Sequence, residues 1–195
     1  MTQSQPTPAQ PNDLEAIDRS IGEEMAEARH HPAVRFLGWL SEIADQPQLA
    51  SVCGLTVLLG LVRRDERLAA TGLQMLGAHA LATFAKSCLK RAINRTRPKV
   101  AVEEGRYEME LGTSRNGDDQ SFPSGHTAGA VAVAGVVALR HPAAALPACA
   151  LALGVSAIQV PRGKHYPGDL AAGVAIGVLA SGLVLAVSKA IRDGR

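Results

Sequence analysis

The chain has 195 residues, 47% of them hydrophobic and 19% charged, with a formal net charge of +2. The apolar content excludes an intrinsically disordered protein, the balanced charge argues against a nucleic-acid partner, and three cysteines, an odd number, argue against a disulfide scaffold. Charges are gathered into islands: no Asp, Glu, Lys or Arg falls in 46–62, 68–85, 141–161 or 170–188, and Arg140 is the only one between 120 and 161.

Residues 1–12 are polar and Pro-rich and are expected to be disordered. No basic start leads into an apolar run, so no secretory signal is expected. Residues 13–30 read as a polar helix with Asn12 or Asp13 as N-cap. Residues 33–45 bring Phe36, Leu37, Trp39, Leu40 and Ile43 close to one helical face, but include Arg35 and Glu42. Too short to span a bilayer, this stretch reads as an amphipathic helix. It either lies at the interface with Trp39 at headgroup depth or packs on its own bundle. The N-terminal helical region 13–45 thus precedes a transmembrane domain at 46–195.

Five apolar segments follow, at 46–62, 68–89, 124–139, 143–160 and 170–188. Each is near or slightly below the roughly 20 residues with which a helix crosses about 30 Å of hydrocarbon. They are rich in Ala and Gly, of which the chain holds 33 and 19. Gly173, Gly177 and Ser181 recur every four residues, a spacing that permits close helix–helix contact. Cys53, Cys88 and Cys149 read as small packing residues. The expected fold is all-α: an integral membrane helical bundle of about five transmembrane helices plus the N-terminal amphipathic helix. A soluble helical bundle is the alternative, and uncharged runs of 17–19 residues weigh against it. By parity, Arg63, Arg64, Arg67, Arg140, Lys189, Arg192 and Arg195 share one side, expected to be cytoplasmic. Loops 90–123 and 161–169 share the other. Basic residues in the first of these loops blur the assignment unless they bind substrate, and five spans leave the N-terminal tail outside the cytoplasm.

Three polar clusters carry the chemistry, and parity places them at one membrane face. In the first, Lys90 and Arg97 are seven residues apart, which on a helix puts both on one face, with Pro98 ending the helix. Two such cations suit a dianion such as phosphate. In the second, Ser124 is a natural N-cap that leaves Gly125 and His126 with unpaired N–H groups, a ready anion site. His126 beside it can exchange a proton near neutral pH. In the third, Asp169 can cap the last helix or accept a hydrogen bond from His165, keeping the outer imidazole nitrogen nucleophilic. Taken singly, each cluster also reads as an ordinary helix end: lipid-headgroup cations, a capped helix, a basic turn.

Lys90-x6-Arg97-Pro98, Pro123-Ser124-Gly125-His126 and His165-x3-Asp169, in that order, resemble the three-part signature of the type 2 phosphatidic acid phosphatase (PAP2) superfamily, over residues 85–195. The resemblance implies a membrane phosphatase acting on lipid phosphates or isoprenoid diphosphates, with no metal and no cofactor. It implies His165 as nucleophile, Asp169 as its orienting carboxylate and His126 as general acid. Lys90, Arg97, Ser124 and Gly125 would hold the phosphoryl oxygens. The family's third motif usually carries Ser-Arg where this chain has Ile158 and Gln159. Arg162 is expected to supply the missing guanidinium, since losing one preorganised donor costs about 3–4 kcal/mol of transition-state stabilisation. Loop 100–120, acidic and polar, is expected to be a solvated connector. Phosphatidic acid, phosphatidylglycerophosphate, isoprenyl diphosphates and lipid A phosphates remain open as substrates. A soluble or haloperoxidase-like relative, a phosphotransferase, and a non-catalytic binder of phosphorylated lipids are the competing readings. The expected location is a bacterial inner membrane, with the site on its extracytoplasmic face.

Overall fold

The computed structural model describes residues 13–194, so the expectations for 1–12, including Asn12 as a cap, and for Arg195 fall outside it. Eight α-helices dominate: α1 Asp13–Ala26, α2 Pro32–Ser41, α3 Gln46–Val62, α4 Glu66–Lys90, α5 Pro98–Glu104, α6 Gly125–Arg140, α7 Ala145–Ala157 and α8 Pro167–Asp193. Between α4 and α6 the chain also forms a small antiparallel sheet, which the all-α expectation lacked. In it β1 (Ile93–Arg95) pairs with β2 (Met109–Leu111).

Helix starts follow local chemistry. Asp65 accepts from the Leu68 N–H at 2.9 Å and caps α4, and Ser124 caps α6 by accepting from the Thr127 N–H. Proline opens α2, α5 and α8, where a missing N–H costs nothing.

Helix α6 is the centre of the bundle, packed against α4, α7 and α8, while α3 forms a hairpin with α4. Its core is made of small residues: Ala78, Ala82, Ala128, Ala132 and Ala180 join Leu49, Cys53, Met75, Val133 and Val136. Such helices stabilise one another by close backbone approach rather than by large side chains. A Cβ on Gly177 would lie 2.7 Å from Val131 Cβ and 2.8 Å from the Ala128 carbonyl oxygen, and one on Gly173 would lie 2.8 Å from the Ser124 carbonyl oxygen. The four-residue spacing read from the sequence is therefore the α6–α8 seam. Gly177→Ala is expected to cost about 1–3 kcal/mol by overpacking, read as lower thermal stability in detergent. Gly182→Ala, where a Cβ meets nothing within 4 Å, should be neutral.

Among the described residues two helices, α4 and α8, are long and apolar enough to cross a membrane; α3, α6 and the stretch Pro142–Ala157 are shorter apolar helices. Only 39% of the most apolar window of α4 and 22% of that of α8 is buried within the protein. Exposed apolar side chains include Phe84 on α4, Leu179 and Leu183 on α8, Leu55 and Leu61 on α3, Leu139 on α6 and Leu153 on α7, a surface that favours a nonpolar solvent. Cys53 is buried as expected, whereas Cys88 and Cys149 lie on the exposed surface. Helix α2 splits the two readings offered for it. Gly38 and Ser41 are buried against Arg162, while Phe36, Leu37, Trp39 and Leu40 face outward, Trp39 being 69% exposed.

Candidate active site

Where α4 ends and α6 and α8 begin, the chain forms a cleft of about 220 Å³. Lys86 and Lys90 line it from α4, Arg97 from the turn before α5, Gly125 and His126 from α6, and Lys164 and His165 from the α7–α8 connection. Glu42, Ala44, Asp45 and Gln46 close it from the α2–α3 connection. Four cations face two carboxylates, a surplus of two positive charges that matches a phosphate dianion. The first N–H groups of α6 open onto the same space, a position that attracts anions.

Lys90 and Arg97 converge on the cleft, but not along one helix as the seven-residue spacing suggested. Helix α4 stops at Lys90, the chain turns into β1, and Pro98 begins a helix instead of ending one. The segment expected to be a solvated connector is what holds Arg97. Its Nε donates to the Gly117 carbonyl at 2.7 Å and its backbone N–H to that of Asp118 at 2.9 Å. Ion pairs Lys99–Asp118 at 2.7 Å and Arg106–Asp119 at 3.0 Å brace the same loop. The Lys90 ammonium donates to the Gln120 carbonyl.

His165 is almost wholly buried, and its Nδ1 lies 2.7 Å from the Ser121 carbonyl oxygen. A carbonyl only accepts, so Nδ1 carries the proton and Nε2 keeps its lone pair. The Nδ1 proton expected to go to Asp169 is therefore donated to the Ser121 carbonyl instead, and Asp169 Oδ2 stands 3.7 Å from Nδ1. That carboxylate is committed elsewhere. Oδ2 accepts from Ser121 Oγ at 2.5 Å and the Tyr166 N–H at 2.8 Å, and Oδ1 accepts from Arg95 at 2.7 Å. Arg95 is 3% exposed; it also donates to Asp18 of α1 at 2.6 Å and lies 4.1 Å above the Tyr166 ring. Asp18 in turn accepts from the Gly168 N–H at 2.6 Å, tying α1 to the start of α8. Burial pushes the His165 imidazole down to about 4; Asp169 pulls upward, and Arg97 and Lys90 add to the depression.

Arg162 does not enter the cleft. Its guanidinium donates to Ser41 Oγ at 2.9 Å and to Glu42 Oε1 at 2.5 Å, against α2. Gln159, fully buried, likewise donates to Ser41 Oγ and to the Val155 carbonyl. The charge expected from Arg162 is supplied on the cleft wall by Lys86 and Lys164, the latter 3.1 Å from Glu42 Oε1. Lys86 was legible as the residue one turn before Lys90, and Lys164 as the neighbour of His165. Glu42, Asp45, Arg95 and Ser121 had no local signal. Burial raises Glu42, but hydrogen bonds from Arg162 and Lys164 outweigh it and hold the carboxyl below its ordinary value.

Glu42, Asp45 and His126 gather ligand atoms within 4.8 Å of one another. The positive surplus of the cleft and the commitment of Glu42 to two cations disfavour a divalent ion there.

A buried imidazole with Nε2 left free thus faces cations at one end of an apolar helical bundle, an arrangement whose charge suits a phosphate group. The PAP2 superfamily model matches residues 71–193, and the chain belongs to that superfamily. The lipid A 1-phosphatases of Rhizobium etli and Rhizobium johnstonii are each 40% identical to it over 91 residues, 46% of this chain. The matched part spans 38% and 36% of those relatives' own lengths. The fold is similar to that of Aquifex aeolicus LpxE, with a TM-score of 0.61 and 20% identity over 85% of this chain and 93% of that one. It is also similar to the first transmembrane PAP2 type phosphatidylglycerolphosphate phosphatase from Bacillus subtilis, with a TM-score of 0.63 and 18% identity over 93% and 89%.

Proposed function

We propose that this protein is an integral membrane phosphatase that hydrolyses a phosphomonoester or diphosphate of a lipid, without a metal, through a phosphohistidine at His165. The observation that carries the reading is His165 itself: Nδ1 is held by the Ser121 carbonyl, so Nε2 is free beside the cations of the cleft. Nε2 attacks phosphorus and the bond to the leaving oxygen breaks. His126 gives that oxygen a proton, then takes one from the water that attacks the phosphohistidine and releases inorganic phosphate. Lys90, Arg97, Lys86, Lys164 and the N–H groups at Gly125 and His126 hold the phosphoryl oxygens, which is most of what phosphoryl transfer needs. Asp169 supports the positive charge that His165 carries in the intermediate, and its hold on Ser121 keeps the tautomer fixed.

The five apolar helices α3, α4, α6, α7 and α8 cross the bilayer together. Arg67 donates to the Arg140 carbonyl at 2.6 Å, so these two cations sit at one end of the bundle, and the cleft lies where α4 ends. Read as the cytoplasmic end, the Arg67 end leaves the site extracytoplasmic, in a bacterial inner membrane.

The test is phosphate release by purified protein in detergent, with chelator present. The panel holds phosphatidic acid, phosphatidylglycerophosphate, isoprenyl diphosphates and lipid A phosphates. Turnover of at least one lipid, undiminished by chelator, is expected; tight binding of these lipids with no turnover of any would overturn the reading.

A further inference from the structure

We propose that Asp45 and Glu42 are the carboxylate partners of His126 and favour the protonated imidazole that donates to the leaving oxygen. The inference rests on the phosphatase reading above. His126 Nε2 lies 3.7 Å from Glu42 Oε2 and 3.7 Å from Asp45 Oδ1. The same nitrogen is buried and has no hydrogen-bond partner. Asp45 occupies the N-cap position of α3 yet makes no capping hydrogen bond, the usual use of an aspartate there; its carboxylate faces His126. Glu42 divides its two oxygens, Oε1 to Arg162 and Lys164, Oε2 toward His126.

The remaining charged groups around His126 are cations: Lys164 and Arg162 from the α7–α8 connection, Lys86 and Lys90 from α4, and Arg97 before α5. The neutral His165 shares the cleft. Burial, together with the cations of a cleft built to hold phosphate, therefore opposes a proton on the imidazole that must deliver one. Two carboxylates within 4 Å of its Nε2 pull the other way and offset part of that loss. As the P–O bond breaks, the imidazolium gives the proton on Nδ1 to the leaving oxygen while the Nε2 proton stays toward the carboxylates; the neutral imidazole later recovers a proton at Nδ1 from the attacking water. Neither residue lies within 71–193, the stretch that the superfamily model matches. The N-terminal segment of this chain thus completes the acid half of the site.

The experiment compares Asp45→Asn, Glu42→Gln and His126→Ala on two substrates. One is a lipid phosphomonoester with a poor alcohol leaving group. The other is p-nitrophenyl phosphate, whose leaving group needs little protonation. General acids contribute roughly 10²–10⁴-fold; losing one partner of the acid is expected to lower kcat on the lipid about tenfold and p-nitrophenyl phosphate turnover less than about threefold. The alkaline limb of the lipid pH profile should move to lower pH, because less negative charge holds the proton. Asp45→Glu should restore both, and Asp45→Asn should cause no further loss in the His126→Ala background. Equal losses on both substrates with an unmoved alkaline limb would mark a packing role and overturn the proposal. His126→Ala sparing the lipid reaction would remove the acid itself, and with it this inference, while leaving the His165 nucleophile standing.

Discussion

His165→Ala is expected to lower kcat on any lipid phosphate substrate by about 10⁴-fold or more, the range seen when a covalent nucleophile is removed. The side chain is buried, so the substitution also leaves a small polar void, and thermal stability in detergent must be measured alongside. A variant that folds yet turns over within tenfold of the parent would exclude the phosphohistidine. The pH dependence carries a separate signature. Attack needs the neutral imidazole, and burial places its titration at about 4. Because the shift is downward, the nucleophile is already neutral at pH values where a free imidazole, near 6.5, would be protonated. The limb of kcat/KM contributed by His165 should accordingly fall away only as pH drops toward 4. A profile of kcat/KM between pH 3 and 9 checks this, since it reports the free enzyme. An acid limb near 6.5 would mean a nucleophile exposed to water.

Arg95→Leu is the substitution expected to cost most in stability, about 3–5 kcal/mol, because it removes one partner of a buried ionic network. Asp169 is fully buried and Arg95 is its charged partner at 2.7 Å. Without the guanidinium, Asp169 is a desolvated anion and Asp18 loses its contact at 2.6 Å. The effect reaches the chemistry by a short route: Asp169 binds Ser121 Oγ, and the Ser121 carbonyl sets the His165 tautomer. Activity is therefore expected to fall with stability. Asp18→Asn should be milder, since the Asp18 side chain is 17% exposed and water can replace part of what is lost. Denaturant or thermal unfolding in detergent measures both; a loss below about 1 kcal/mol for Arg95→Leu, the range of an exposed pair, would show that the network contributes little.

Several features could be read directly. The charge-free runs locate α3, α4, α6, α7 and α8 within a few residues, because an apolar stretch between charged islands has few ways to satisfy its backbone except as a helix. Ser124 announces itself as a cap, and Gly173, Gly177 and Ser181 announce a close contact. Other readings failed where a local rule met a competing one. The spacing of Lys90 and Arg97 assumed a helix that the β1–β2 pairing interrupts. Loop 100–120 looked solvated because it is acidic, yet its carboxylates and carbonyls hold Arg97 and its neighbours in place. Arg162 was the nearest guanidinium in sequence to the gap at Gln159, and in space it belongs to Glu42 and Ser41.

The amino-acid order by itself determined the helical membrane architecture, the family and the three motifs, because hydrophobic runs, caps and short spacings are local properties. Only the tertiary structure decided which groups surround the two histidines. Asp18 meets Arg95 across 77 positions, and Glu42 and Asp45 reach His126 from outside the matched region. Contacts over such separations are set by how helices pack, and a buried charge finds its partner there rather than among its neighbours in the chain. Folding thus brings part of the charge that marked the sequence at the start into one cleft, where Lys86, Lys90, Arg97 and Lys164 meet Glu42 and Asp45 around the two histidines, while Arg67 and Arg140 stay at the other end of the bundle.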